Sequence, residues 1–219
     1  MLGCKYGTHR VLEPAGAMPQ AAQKLNNDMS TVYDNEILVD VIALNIDSAS
    51  FTQIEEEAGG NVEKIGAKIL EIVAARGKQQ NPVTGSGGML IGRVAKIGSA
   101  LQDRDLKVGD KIATLVSLSL TPLKIERIVA IHPAIDRVEI VGQAILFESG
   151  LYAKLPEDMD ERLALAALDV AGAFVCTGVS PPFRVTTVGG VVFCCVADAV
   201  AAVETAVLTV VSDVRTVDR

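Results

Sequence analysis

Cysteine and histidine are common metal ligands in proteins, and this sequence contains four cysteines and two histidines. The cysteines are Cys4, Cys176, Cys194 and Cys195. No two of them have the C-x-x-C spacing of a zinc ribbon. His9 and His132 are far apart in the chain, and a lone histidine is more often a hydrogen-bonded core or surface residue than a ligand. The sequence therefore predicts no zinc site.

The charge of the chain limits its possible partners. Its formal net charge is -7, which disfavours binding to a phosphate backbone, so no nucleic-acid partner is expected. An acidic cleft attracts a small cationic substrate, although acidity also serves solubility alone. The acidic run Glu55–Glu57 is interpreted as a solvated helix face. Membrane spans need ~20 apolar residues, and Asp198 and Glu204 interrupt the longest apolar stretch, so no membrane segment is expected.

Dinucleotide cofactors are usually bound by a glycine-rich turn between a strand and a helix, with glycines at fixed offsets. The nearest candidate here is VTTVGGVVF, which contains only Gly189 and Gly190. The sequence therefore predicts no complete dinucleotide fingerprint.

Hydrophobic periodicity places the polar residues on an α+β framework. Alternation predicts a strand over Glu36–Asp47, after a short strand near Arg10–Leu12. Spacings of three and four predict a helix over Asn61–Gly77, with Asn61 as its N-cap. Ser48 or Ser50 is expected to cap a short helix before it. A glycine-rich turn at Gly85–Gly88 leads into further short strands, and this pattern is typical of a barrel-like domain with few helices.

The last segment of the chain has a different composition. Residues Phe174–Arg219 contain no Lys, Ile, Asn or Gln, and they hold three of the four cysteines. We place a domain boundary near Gly172, with residues 1–172 as one domain. Residues 173–219 form an atypical Val/Ala-rich tail, expected to be the aberrant end of a truncated gene. The mixed, polar N-terminus predicts no signal peptide, so a reducing cytoplasm is expected.

Three stretches resemble the medium-chain dehydrogenase/reductase superfamily. They are EILVDVIALNIDSAS, GSGGMLIGRVAKIGSALQDRDLKVGDKIATLV and ILFESGLYAKLPEDMDERLALAALDVAGA. Within that superfamily, longer motifs such as ALNIDSASFTQIEEEAG, NPVTGSGGMLIG and KVGDKIATLVSLSLTPLKIE are similar to the family that acts on L-erythro-3,5-diaminohexanoate. The resemblance covers residues 3 to about 173. It implies a GroES-like β-barrel catalytic domain.

The resemblance also implies a reaction and a cofactor. The family removes a hydride from the carbon that bears the 3-amino group, transfers it to NAD, and releases ammonium, which gives 5-amino-3-oxohexanoate in lysine fermentation. Zinc-dependent relatives have Cys and His where this chain has Asn45–Ser50 and Thr84–Gly88, so the resemblance agrees with the absence of zinc. The full Rossmann domain that follows in the family is not recognisable in Phe174–Arg219. Residues 173–219 are therefore expected to be either the aberrant end described above or a remnant that leads into a lost NAD-binding domain.

Site residues follow from the same resemblance. The loop after the long strand and the glycine-rich turn line the cleft in this superfamily. On this basis Asp47, Ser48 and Ser50 are candidate catalytic residues, and Gln53, Glu55, Thr84 and Ser86 are candidate substrate-binding residues. Asp47 or Glu55 would contact a substrate ammonium group. Asp47 and the serines could instead simply end a strand and cap a helix.

Two other functions remain open. The chain could be a non-catalytic GroES-like binding or structural module, which the missing fingerprint favours. It could also resemble quinone reductases of the same superfamily, which likewise need a cofactor domain. In each case, an apolar face left without the cofactor domain predicts association into a homo-oligomer.

Overall fold

A computed structural model describes residues 1–157, 186–188 and 191–193. The strand predicted at Glu36–Asp47 is present, and it and one neighbouring strand are the two longest strands of the central sheet. The chain divides into two units, Met1–Lys154 and Leu155–Arg219. The predicted boundary near Gly172 lies outside the described residues, as does most of the Val/Ala-rich tail.

The first unit contains eight strands and two α-helices. In chain order they are β1 (Val11–Glu13), β2 (Lys24–Leu25), β3 (Glu36–Ile46), α1 (Ser48–Ala58), α2 (Val62–Arg76), β4 (Gly88–Ile97), β5 (Lys111–Thr114), β6 (Leu123–His132), β7 (Arg137–Phe147) and β8 (Tyr152–Lys154). In the second unit, β9 (Thr186–Val188) and β10 (Val191–Phe193) pair with each other antiparallel.

Six strands form one antiparallel sheet in the order β6-β7-β3-β4-β5-β8. Together with two helices, this arrangement confirms the predicted α+β class. The prediction of short strands was wrong for β6 and β7, which have ten and eleven residues. The reason is that β7 pairs with β3 on one side and with β6 on the other, so its whole length is held in the sheet.

α2 follows the predicted apolar spacing. α2 begins after Asn61, whose side chain accepts the Lys64 N–H, and ends at Gly77 in the left-handed conformation. Both residues were predicted. The cap predicted for α1 was wrong, because Asp47, not Ser48 or Ser50, accepts the Ala49 N–H. Asp47 precedes the helix and leaves both serines inside its first turn.

The helices cover one face of the sheet, and the core between them is almost entirely aliphatic. Ile65, Ile69 and Ile72 of α2 lie in this core with Phe51 and Ile54 of α1, all at most 5% exposed. Removing apolar surface of this kind from water contributes about 25 cal/mol per Å². α1 is therefore held against the sheet by its own buried side, which fixes where its first turn points.

The N-terminal segment is anchored by a buried ion pair. The Arg10 guanidinium donates to both Glu36 oxygens at 2.6 and 2.7 Å, and it also donates to the carbonyls of Asp28 and Thr31. Burial raises the pKa of Glu36, but hydrogen bonds from Arg10 and from the Tyr33 N–H outweigh it and leave this pKa below its ordinary value. The start of β3 is thereby fixed.

The other end of β3 is where the polar loops meet. Because neighbouring strands run antiparallel, β4 and β7 both begin where β3 ends. Gly88 pairs with Ile46, and Arg137 pairs with Asn45. No helix among the described residues is long and apolar enough to cross a membrane.

Candidate active site

Most of the candidate site residues lie at the end of β3. Asp47, Ser48, Ser50 and Gln53 form the start of α1, and Thr84 and Ser86 lie in the turn before β4. α2 lies between these two groups in the chain, so residues far apart in sequence come together at one edge of the sheet.

Three hydroxyl groups form a triangle at this edge. The Ser50 oxygen lies 2.6 Å from Thr84 Oγ1 and 2.5 Å from Ser86 Oγ, and the last two atoms are 3.1 Å apart. Ser50 is fully buried, Ser86 is half-buried and Thr84 is exposed. Because Ser50 has only one proton to donate, at least one of the other two hydroxyls donates to it. The triangle is neutral, and its outer rim faces solvent.

Two glycines allow the turn to pack this closely, Gly88 against β3 and Gly87 against Ser119. A Cβ atom at Gly88, whose φ is +114°, would lie 2.0 Å from the Asn45 carbonyl oxygen, and a Cβ at Gly87 would lie 2.4 Å from the Ser119 nitrogen. Side chains at these two positions would push the turn away. With glycine, the Asp47 N–H reaches the Gly87 carbonyl at 3.3 Å.

Asp47 caps α1 with one carboxylate oxygen, which leaves the other oxygen available to bind a ligand. Its Oδ1 accepts the Ala49 N–H at 3.1 Å, which is the N-cap interaction. Its Oδ2 has no hydrogen-bond partner within the part of the chain that the structure describes, and the residue is exposed. The carboxylate can therefore cap α1 and contact a cation at the same time.

Ser48 points to a carboxylate that sequence reasoning missed. Its hydroxyl donates to Asp136 Oδ2. Asp136 lies in the turn between β6 and β7, and its backbone carbonyl accepts the Ile46 N–H at 2.9 Å. The residue has a φ of +53°, a left-handed conformation that Asp adopts more readily than most side chains. No sequence pattern marked it, since the predicted strands on either side had no assigned register.

Gln53 is held by a second missed residue, Asn81. Asn81 donates from Nδ2 to Gln53 Oε1 at 2.7 Å, and Gln53 donates in turn to Glu57. Glu57 also lies 3.5 Å from the Lys68 ammonium. The carboxamide of Gln53 thus lies in a chain of polar contacts that joins α1 to α2.

Glu55 is not joined to this group. Five positions along an α-helix place it on a different side of α1 from Ser50. It is half-buried, and among the described residues its carboxylate makes no hydrogen bond or ion pair.

Behind the turn, four consecutive polar residues are buried. Lys78, Gln79 and Asn81 are 0% exposed and Gln80 is 9% exposed. The Lys78 ammonium donates to the carbonyls of Pro19 and Gln20 at 2.6 and 3.2 Å. Burial, together with the smaller effect of the positive charge of Arg76, lowers the pKa of Lys78 to about 8. In the sequence, KQQN after a glycine is typical of an exposed loop, so no pattern could have predicted that these four residues are buried.

The chemistry available at this edge is acid–base and hydrogen-bonding chemistry. Carboxylates accept protons or hold cations, and hydroxyls donate to anions or pass protons on. No group of three or more His, Cys, Asp or Glu side chains among the described residues could hold a metal ion.

Comparison with known proteins shows the family of the chain. A family model described as the L-erythro-3,5-diaminohexanoate dehydrogenase N-terminal domain matches residues 9–156. The chain is 76% identical over 172 residues to an L-erythro-3,5-diaminohexanoate dehydrogenase of Fusobacterium nucleatum, covering 78% of this chain and 50% of that protein. It is 73% identical over 174 residues to the Acetoanaerobium sticklandii enzyme of the same name, covering 79% and 50%. The chain thus spans about half the length of the curated relatives it matches.

Proposed function

Because the chain belongs to the L-erythro-3,5-diaminohexanoate dehydrogenase N-terminal domain family, we propose that it provides the substrate site for oxidative deamination of L-erythro-3,5-diaminohexanoate to 5-amino-3-oxohexanoate. The observation that carries the proposal is the meeting of Asp47, Ser48 and Ser50 with Thr84 and Ser86 at one edge of the sheet. We further propose that the sheet is the GroES-like barrel of the medium-chain dehydrogenase/reductase superfamily.

The substrate presents two ammonium groups and one carboxylate. We assign Asp47 to an ammonium group, because its Oδ2 is exposed and its Oδ1 is held by the helix cap. A carboxylate at the cap also offsets the positive end of α1, which would otherwise repel a cation. Glu55, on another side of the helix, is the weaker candidate for the second ammonium group.

Only the free amine can expel a hydride, so one ammonium group must first lose a proton. The Ser48–Asp136 pair offers a route for it. The Ser48 oxygen accepts the proton from the ammonium nitrogen, and the Ser48 proton passes to Asp136 Oδ2, which it already approaches. One proton leaves the substrate, one carboxylate gains a proton, and no electrons move in this step.

The carboxylate of the substrate needs hydrogen-bond donors. Thr84 and Ser86 form the outer rim of the hydroxyl triangle and can turn a proton outward, while Ser50 holds them from the buried side. Hydrogen bonds to a charged acceptor are stronger than those between neutral groups. Gln53, held by Asn81 beside this rim, limits the length of the bound molecule.

We propose NAD as the oxidant. The six-stranded sheet is antiparallel, and the described residues contain no parallel βαβ unit with a glycine-rich turn to cradle a dinucleotide. The described part of the chain therefore does not fit this cofactor by the usual motif, and we assign none of its residues to NAD.

The test is the formation of NADH, followed by near-UV absorbance, with the purified 219-residue chain, NAD and L-erythro-3,5-diaminohexanoate. A rate above background supports the dehydrogenase. Binding of the diamino acid without turnover supports the second candidate, a non-catalytic GroES-like binding module. That candidate is favoured by one observation, namely that the six-stranded sheet is antiparallel, whereas a dinucleotide is usually bound by a parallel βαβ unit. Absence of both binding and turnover contradicts the proposed function.

We also propose that the protein acts in the cytoplasm as a homo-oligomer. β6 is an edge strand of the sheet. Val129 on this strand is 53% exposed, and Ile135 in the following turn is 46% exposed. Exposed apolar side chains close together favour association. Light scattering that gives the mass of a monomer at all concentrations would contradict this part of the proposal.

A further inference from the structure

The side chain of Asn81 makes more hydrogen bonds than a loop residue normally needs. Its Nδ2 donates to the Ser50 carbonyl at 3.2 Å and to Gln53 Oε1 at 2.7 Å. Its Oδ1 accepts the N–H groups of Val83 and Thr84 at 2.8 and 3.3 Å. The residue is fully buried, and both ends of its carboxamide are used.

The turn that carries Thr84 and Ser86 closes without this side chain. Asn81 N–H donates to the Ser86 carbonyl at 3.0 Å, and the Gly85 N–H donates to the Asn81 carbonyl at 2.8 Å. These backbone bonds shape the turn from residue 81 to residue 86. They do not connect it to α1.

The carboxamide makes that connection. Its oxygen binds the turn, and its nitrogen binds α1 at Ser50 and Gln53. The two elements otherwise meet through the hydroxyl triangle and through the bond from Asp47 N–H to Gly87. A buried amide that loses a hydrogen-bond partner destabilises the fold, so the turn has one favoured position against the helix.

We propose that Asn81 is a positioning residue, which sets the distance of Thr84 and Ser86 from Ser50 and so fixes the site for the substrate carboxylate. Its role in catalysis rests on the proposed function. Its role in docking the turn does not, and the two can be tested separately.

Two substitutions separate the hydrogen bonds of Asn81 to α1 from its side-chain hydrogen bonds within the turn. Asn81→Asp keeps an oxygen for the Val83 and Thr84 N–H groups, but it places a second oxygen against the Ser50 carbonyl and Gln53 Oε1, which are both acceptors. Asn81→Ala removes both sets of bonds. The matched control is Asn35→Ala, because Asn35 is 2% exposed and also uses its carboxamide fully, with Gly3 and Glu148.

The first readout is amide hydrogen exchange in the full 219-residue chain, which needs no ligand. Exchange of the Asp47 N–H, which donates to Gly87, should rise on the order of tenfold in both Asn81 variants and stay unchanged in Asn35→Ala. Exchange of the Val83 N–H should rise only in Asn81→Ala. If the Asp47 amide exchanges at the same rate in all three variants, Asn81 does not dock the turn.

The second readout is turnover of L-erythro-3,5-diaminohexanoate with NAD, below the unfolding temperature of every variant. A misplaced group can reduce the rate about 10²-fold, so kcat/KM should fall by about that factor in both Asn81 variants and stay near wild type in Asn35→Ala. Equal losses in all three variants would show a purely structural role and overturn the proposal. An inactive wild type would contradict the proposed function, while the exchange result would still decide the docking role.

Discussion

The hydroxyl oxygens of Ser50 and Thr84 lie 2.6 Å apart, although 34 positions separate the two residues in the chain. α2 fills the interval, so the contact depends on α1 and the glycine-rich turn docking at the same edge of the sheet. Ser86 Oγ, 2.5 Å from Ser50, completes the triangle. Ser50 is therefore the shared corner through which the helix positions the turn.

Removing the Ser50 hydroxyl should impair substrate binding while the chain still folds. In Ser50→Ala, the Thr84 and Ser86 hydroxyls keep their mutual 3.1 Å contact, and Thr84 Oγ1 still accepts the Ser86 N–H at 3.3 Å. Both hydroxyls lose the partner that holds them from the buried side. We expect kcat/KM for L-erythro-3,5-diaminohexanoate to fall about 10²-fold, measured by NADH formation.

The control for this prediction is Thr114→Val. The Thr114 hydroxyl is also buried, but it accepts the Leu90 N–H within the sheet, away from the triangle. The Thr114→Val variant should be less stable than the wild type, without a comparable loss of kcat/KM. Equal kinetic effects in the two variants would count against a special role for Ser50.

The Ser48–Asp136 pair predicts a distinct kinetic effect. Asp136→Asn keeps the shape of the side chain, and Asn tolerates the left-handed backbone at this position. The variant cannot take up the proton that Ser48 would pass on. We expect kcat to fall about 10²-fold with little change in KM, since general-base catalysis typically contributes at least that factor.

A second Ser–Asp pair supplies the control. Ser30 donates to Asp28 at 2.9 Å on the exposed surface, so Asp28→Asn changes the same chemistry away from the site. It should leave kcat unchanged. A rise in KM at constant kcat in Asp136→Asn would assign Asp136 to substrate binding and refute the relay.

Lys78 predicts a pH dependence of stability. Burial and the neighbouring Arg76 lower the pKa of Lys78 to about 8, against 10.5 for an ordinary lysine. Between these values the unfolded chain binds more protons than the folded chain, so the free energy of unfolding should rise with pH. The rise amounts to a few kcal/mol at most.

Urea unfolding at several pH values between about 8 and 10.5 measures this effect. Other lysines and the tyrosines titrate in the same range, so the comparison is with Lys78→Met, in which this contribution to the slope disappears. Identical slopes in the two proteins would mean that Lys78 titrates like an exposed lysine.

Patterns of neighbouring residues were sufficient to predict the helix and strand elements that carry the candidate site. Alternation located β3, and the apolar spacing of α2 together with Asn61 and Gly77 gave its ends. These features depend on neighbours within a few residues. The α+β class followed from the same patterns.

The contacts between elements could not be predicted in that way. Asn81 reaches back 31 positions to Ser50, and Asp136 lies 88 positions from Ser48. Each contact depends on the register of β3 with β4 and β7, which alternation alone does not specify. The cap of α1 was misassigned for a related reason, since Asp47, Ser48 and Ser50 are all good N-cap residues and only the backbone path selects one.

The most direct test of the account is to map where the diamino acid binds. Amide chemical shifts of the ¹⁵N-labelled 219-residue chain would be followed by NMR during titration with L-erythro-3,5-diaminohexanoate. We expect the largest changes at Asp47–Gln53 and Thr84–Ser86, with the Arg10 and Asn35 amides unaffected. Changes confined to other parts of the chain, or none at millimolar ligand, would contradict the claim that this edge of the sheet is the substrate site.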